Sequence, residues 1–178
     1  MINKSMFLVV VMTFILSCGK NTNKDRSFLP ESVGAINALQ VVVEDKLWDG
    51  VVGDSIRAWF AAATPGLPQA EPLFNINHLT PELFNDFARH SRLNLVVALA
   101  DQDMIELKSN AYAQPQRLAY IQGTTVASLL DILDHQKTFL ISQMKAFELS
   151  ERQRRTRISL KTSEGLTNDF GIDIQMPS

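Results

Sequence analysis

Cysteine is almost missing from this chain. Cys18 is the only one among 178 residues, so no intramolecular disulfide can form and no zinc site built on thiolates is available. A charge excess of either sign is lacking too. Lysine and arginine number 17 against 19 aspartates and glutamates, a formal net charge of −2, which excludes the one-signed field of a nucleic-acid binder. The glycine patterns that cradle phosphates, the G-x-S-x-G nucleophile elbow and the H-E-x-x-H zinc motif are absent, which removes the familiar nucleotide-binding, esterase and metalloprotease readings. No cofactor and no metal is implied.

What is present begins with Met1–Cys18. Lys4 leads into an apolar run, Met6–Leu16, that is too short to span a bilayer, and Ile15-Leu16-Ser17-Cys18 closes it as a lipobox. This arrangement predicts a lipoprotein signal over residues 1–17, cleavage before Cys18, and acylation of the Cys18 thiol and of the amine that cleavage frees. Each buried methylene contributes about 0.8 kcal/mol, so two or three acyl chains hold a soluble body on a membrane. Residues 18–27 carry nothing apolar beyond Cys18 and are expected to form a disordered tether.

From residue 28 to 178 the pattern predicts one α+β domain: a mixed, largely antiparallel sheet with two short helices and one long C-terminal helix packed on it, an alternating α/β arrangement being the runner-up. Ala38–Val43, Leu93–Ala100 and Arg117–Gln122 are apolar, β-branched runs of strand length, and Leu73–Asn77 is a short edge strand. Met104–Lys108 is expected to return beside Leu93–Ala100 as a hairpin partner. Val52, Ile56, Trp59 and Phe60 mark the buried stripe of a helix over Val51–Ala62, capped by Asp49 or Asp54. Thr80-Pro81-Glu82 opens a second helix that buries Leu83, Phe84 and Phe87 and ends near His90–Arg92. A long helix follows Thr125, with its apolar spacing interrupted around Gln136-Lys137 and thinning after Leu149 into a second helix. Phe170–Met176 alternates with period two and reads as a strand beginning to form as the chain stops, which implies a domain incomplete at its C-terminus.

The lipobox, LPESVGAINALQVVVEDKLWDGVVGDSIRAWF (Leu29–Phe60), PGLPQAEPLF (Pro65–Phe74) and FGIDIQMP (Phe170–Pro177) resemble the uncharacterised Bacteroidetes lipoproteins of domain of unknown function family 4837. Members of that family are about twice this long, so the resemblance implies that this chain corresponds to a first half. It also implies an envelope location, and Lys20 and Lys24 after the cysteine resemble a lipoprotein of the outer membrane facing the periplasm, surface exposure being the other arrangement.

Among candidate sites, Arg152, Arg154, Arg155 and Arg157 form the densest charge cluster and could hold an anionic ligand such as a lipid phosphate, or simply be the solvated face of a helix. Asp101, Asp103 and Glu106 could ligate a cation, but a turn needs the same residue types. His78, His90 and His135 sit on separate elements. Ser142-x-x-Lys145 falls inside a long helix, where a Ser-Lys nucleophile is not expected, and Trp48, Trp59 and Phe60 could line a pocket or be core. These features predict a lipid-anchored envelope protein acting as a binding or scaffold module for an envelope protein, lipid or glycan. The competing reading is an envelope hydrolase that pairs Glu71 or Glu82 with Asp101 or Asp103.

Overall fold

The computed structural model describes residues 28–158, 160–161, 168–171 and 176–177. The signal segment, Cys18 and the tether lie outside the described residues, as does most of the Phe170–Met176 strand. The fold is α+β. Strands β1 (Ala38–Val42), β2 (Asn75–Leu79), β3 (Leu93–Leu99), β4 (Met104–Ser109) and β5 (Arg117–Gly123) form one mixed sheet in the order β2-β1-β3-β5-β4. Helices α1 (Asp45–Trp48) and α2 (Val51–Phe60) connect β1 to β2, and the long α3 (Val126–Ile158) follows β5. A two-residue pair, β6 (Leu160–Lys161) with β7 (Met176–Pro177), completes the described elements.

One expectation about the sheet is corrected. β1 pairs in parallel with both β2 and β3, and β3 pairs in parallel with β5. Only β4 runs antiparallel, so the sheet is mixed but not largely antiparallel. The cause is legible in the central strands, which are continuous apolar runs because both their faces are covered, the usual mark of parallel pairing. Nor is β4 a hairpin partner of β3: β5 inserts between them and pairs with both.

On one face of the sheet Leu39, Val41, Leu93, Leu95, Val97, Ala119 and Ile121 meet Val52, Ile56 and Phe60 of α2 and Leu129, Leu133, Leu140 and Met144 of α3. On the other face Val42 and Leu118 pack under Phe84, with Leu79, Tyr112 and Tyr120 at the rim. A polar layer closes the remainder of that face. Gln40 donates to the Ala88 carbonyl (2.9 Å) and to Asn94 Oδ1 (3.1 Å), Ser91 Oγ donates to Gln40 Oε1 (2.8 Å), and Gln116 Nε2 donates to the carbonyls of Arg89 and Ser91.

The segment expected to be a helix after Thr80 is instead two 3-10 turns, Pro81–Leu83 and Asp86–His90. Thr80 makes no side-chain cap, and Asp86 takes a positive φ of 34°, which breaks the helical path. Phe84 alone reaches the core, while Leu83 and Phe87 are 57% and 69% exposed. The cap of α2 is Gly50 rather than an aspartate. Helix α3 runs through Gln136-Lys137 and past Leu149 without a break. Its 33 residues make a rod about 50 Å long, against about 23 Å for the seven residues of β5, so α3 runs back across the sheet and overshoots its far end. Among the described residues no helix is long and apolar enough to cross a membrane.

Candidate functional site

The overshoot of α3 builds the site. The buried stripe Leu133, Leu140 and Met144 continues at the same spacing, but with Glu148 and Glu151, two carboxylates where the helical pattern calls for apolar side chains. Glu148 is matched from beneath by Arg92, whose side chain is 1% exposed against 2% for the glutamate. Arg92 Nε donates to Glu148 Oε1 at 2.7 Å and Nη2 to Oε2 at 3.2 Å, a forked pair, while Nη1 donates to the Gly34 carbonyl (2.9 Å) and Nη2 also to the Ala35 carbonyl (2.6 Å).

Asn37, with a left-handed φ of 61°, turns its backbone N–H onto Glu148 Oε2 at 2.6 Å. An asparagine tolerates that conformation better than most residues. Its side-chain oxygen accepts from Lys145 Nζ at 3.1 Å, and Lys145 also donates to the Leu73 carbonyl at 3.0 Å. Lys145 lies 5.2 Å from the centre of the Phe74 ring, and burial holds its ammonium below the ordinary lysine pKa, with Glu148 opposing that shift.

Beside this clasp lies an open groove of about 350 Å³ lined by Ile36, Asn37, Lys145, Glu148, Leu149 and Arg152. A second concavity of about 520 Å³ shares Leu149 and Arg152 and continues along α3 to Gln153, Thr156 and Arg157. The four sequence-predicted arginines therefore divide. Arg154 donates to both oxygens of Glu151 (2.7 and 2.9 Å) and Arg155 to Oε1 (2.8 Å), and Arg154 also stands 3.7 Å from Glu31. These contacts, Arg154 foremost, hold the Glu151 carboxyl down to about 2 despite its burial. Arg152 instead lines both the groove and the second concavity, and Arg157 the second concavity. Among the described residues around this end of α3, Arg92, Lys145, Arg152, Arg154, Arg155 and Arg157 outnumber the carboxylates Glu31, Glu148 and Glu151, in a chain of net negative charge.

The other candidates do not assemble. Asp103 Oδ1 accepts from the Thr124 N–H (2.7 Å), Thr124 Oγ1 (3.0 Å) and Ser128 Oγ (3.1 Å), which ties it to the start of α3, and Glu106 pairs with Lys108 at 3.0 Å. Glu71 precedes β2 and Asp101 follows β3, placing them at opposite ends of the sheet. Glu82 and Asp103 are fully exposed with lowered pKa values, from a backbone hydrogen bond first in each case, the reverse of what a general acid needs.

His78 stacks on Trp48 at 4.5 Å, His90 meets the edge of Phe87, and His135 contacts the Asp131 carbonyl within its own helix. Ser142 Oγ donates to the Phe139 carbonyl, away from Lys145. Phe60 is core against Phe74, Trp48 lies beneath the Arg57 guanidinium, and Trp59 beneath Lys137, so each of the three aromatics has its own separate partner. Asn37, Arg92 and Glu148 went unnoticed in the sequence, although a glutamate recurring on the apolar stripe of α3 was a usable signal.

The described residues thus define an α+β domain built on a five-stranded sheet, and the candidate site is a basic groove open to solvent. Residues 32–157 match the model of the family Domain of unknown function (DUF8532), and the chain belongs to that family. It is a different family of unknown function from the one that the sequence resembles. No curated protein and no solved structure matches the chain.

Proposed function

We propose that this chain is a lipid-anchored binding module of the cell envelope, held through Cys18, that takes a phosphate-bearing group of an envelope lipid in the groove beside α3. The observation that carries the reading is the convergence of half-buried Lys145 with Arg152 on one groove where Glu148, the one carboxylate among the described lining residues, is already engaged by Arg92 and the Asn37 N–H. Guanidinium and ammonium groups supply charge-assisted donors for phosphate oxygens, and Leu149 and Ile36 offer apolar surface beside them. The lipobox supports a location at the membrane, where such headgroups are concentrated. We extend the same proposal to kinship with family 4837 and to the periplasmic face of the outer membrane.

Co-sedimentation with vesicles of zwitterionic lipid, with and without a phosphomonoester lipid, tests the groove. Binding above that of the anchor should require the phosphomonoester, weaken with salt, and fall about tenfold in Arg152→Glu, with the Lys145 pKa rising on binding. Equal binding by the wild-type chain and Arg152→Glu would remove the groove from the account.

A further inference from the structure

At the edge of the sheet remote from β2, β4 is an end strand whose residues are exposed apart from partly buried Leu107. The rung just beyond it fixes which backbone groups face outward. The Asn110 N–H donates to the Gln116 carbonyl at 3.0 Å, and in an antiparallel ladder such rungs recur every second residue. Lys108, Glu106 and Met104 therefore direct their N–H and C=O groups to β5. Those of Ile105, Leu107 and Ser109 point away from the sheet, and among the described residues no strand receives them.

An unpaired edge of this length is a template for another strand, and natural edges commonly block it with lysine. Here Lys108 does not stand alone, because Glu106 is two residues away on the same face of the strand, 3.0 Å from it.

We propose that β4 pairs with β4 of a second copy of this chain, antiparallel and centred on Leu107. In that register Leu107 meets its own copy, and Ile105 meets Ser109 of the partner subunit. All three are positions with outward backbone groups, giving about six inter-chain hydrogen bonds. Glu106 then stands opposite Lys108 of the partner subunit, twice over, at the closely spaced positions that lack backbone bonds, where cross-strand side chains approach most. A register centred one residue earlier would set Glu106 against its own copy, so charge selects the first. The two-fold axis is perpendicular to the sheet, which becomes ten strands wide, and both α3 helices lie on the same side. Two basic grooves would then face one way, and a surface bearing several anionic groups would be held by both at once.

Sedimentation velocity of the mature chain in nonionic detergent, over a wide concentration range, provides the test. The wild-type chain should move from one chain's mass to twice that mass as concentration rises. Glu106→Lys and Lys108→Glu should each remain at one chain's mass, since each sets like charges opposite one another twice. Mixing the two single variants should restore the doubled mass, because every cross-strand pair is then of opposite sign, an outcome that damage to the fold cannot produce. A wild-type chain that stays monomeric throughout, or a mixture that stays monomeric while circular dichroism shows both variants folded, overturns the proposal. The result does not depend on whether the α3 groove binds phosphate.

Discussion

Arg92 and Glu148 form a forked ion pair across 56 residues of chain, and both side chains are almost wholly excluded from water. The pair joins the start of β3 to α3, and the carbonyls of Gly34 and Ala35 bind the approach to β1 onto the same guanidinium. Removing one partner leaves a buried charge without its counter-ion. Glu148→Ala and Arg92→Ala are each expected to lower unfolding stability by about 3–5 kcal/mol, measured by urea denaturation. Replacing both with apolar residues of similar volume should cost much less than the two single changes added together, since no charge is then left unpaired.

Glu151 confers acid sensitivity. Its folded-state pKa of about 2 lies below the ordinary 4.5, so the stabilisation is complete above about pH 4.5 and is lost as pH falls from there toward 2. Both arginines that engage it are nearly half exposed, which reduces the contribution to about 2 kcal/mol. Glu151→Gln should lower stability at neutral pH and flatten the acid limb of stability plotted against pH.

Asp103 ties the start of β4 to the first turn of α3 through Thr124 and Ser128, where a carboxylate also complements the helix dipole. Asp103→Ala is expected to lower the melting temperature and to raise hydrogen exchange at the Thr124 and Thr125 amides. Asp103→Asn, which keeps an acceptor, should recover part of that loss.

Gly53 is set by close approach rather than by backbone dihedrals. A Cβ there would lie 1.9 Å from the Trp48 carbonyl oxygen, so α2 could not keep its packing against the turn that ends α1. Gly53→Ala should destabilise by about 3 kcal/mol or more despite the better helix propensity of alanine, read as a drop in melting temperature.

Strands with both faces buried were legible because their apolar runs leave little choice. Leu93–Leu99 ends one residue before its expected boundary, Arg117–Gly123 one residue after, and Ala38–Val42 one residue before. Pairing was not legible, since nothing in Met104–Ser109 says that β5 rather than β3 will lie beside it. The 3-10 turns were missed because Thr80-Pro81-Glu82 is a sound local start that the positive φ at Asp86 interrupts, and packing needs only Phe84 from that segment. Of the arginine cluster, the sequence shows the density. The division between Arg154 and Arg155 on Glu151, and Arg152 and Arg157 on the groove and the concavity beside it, depends on which side of α3 faces Asn37.

Anchorage through Cys18 underlies the proposed location and role together, and the mass of the amino-terminal peptide of the mature chain, recovered from membranes, measures it directly. The expected peptide begins at Cys18 and carries a diacylglyceryl thioether and an acylated amine, both absent from Cys18→Ala. A free thiol at Cys18, or an intact Met1, would contradict it.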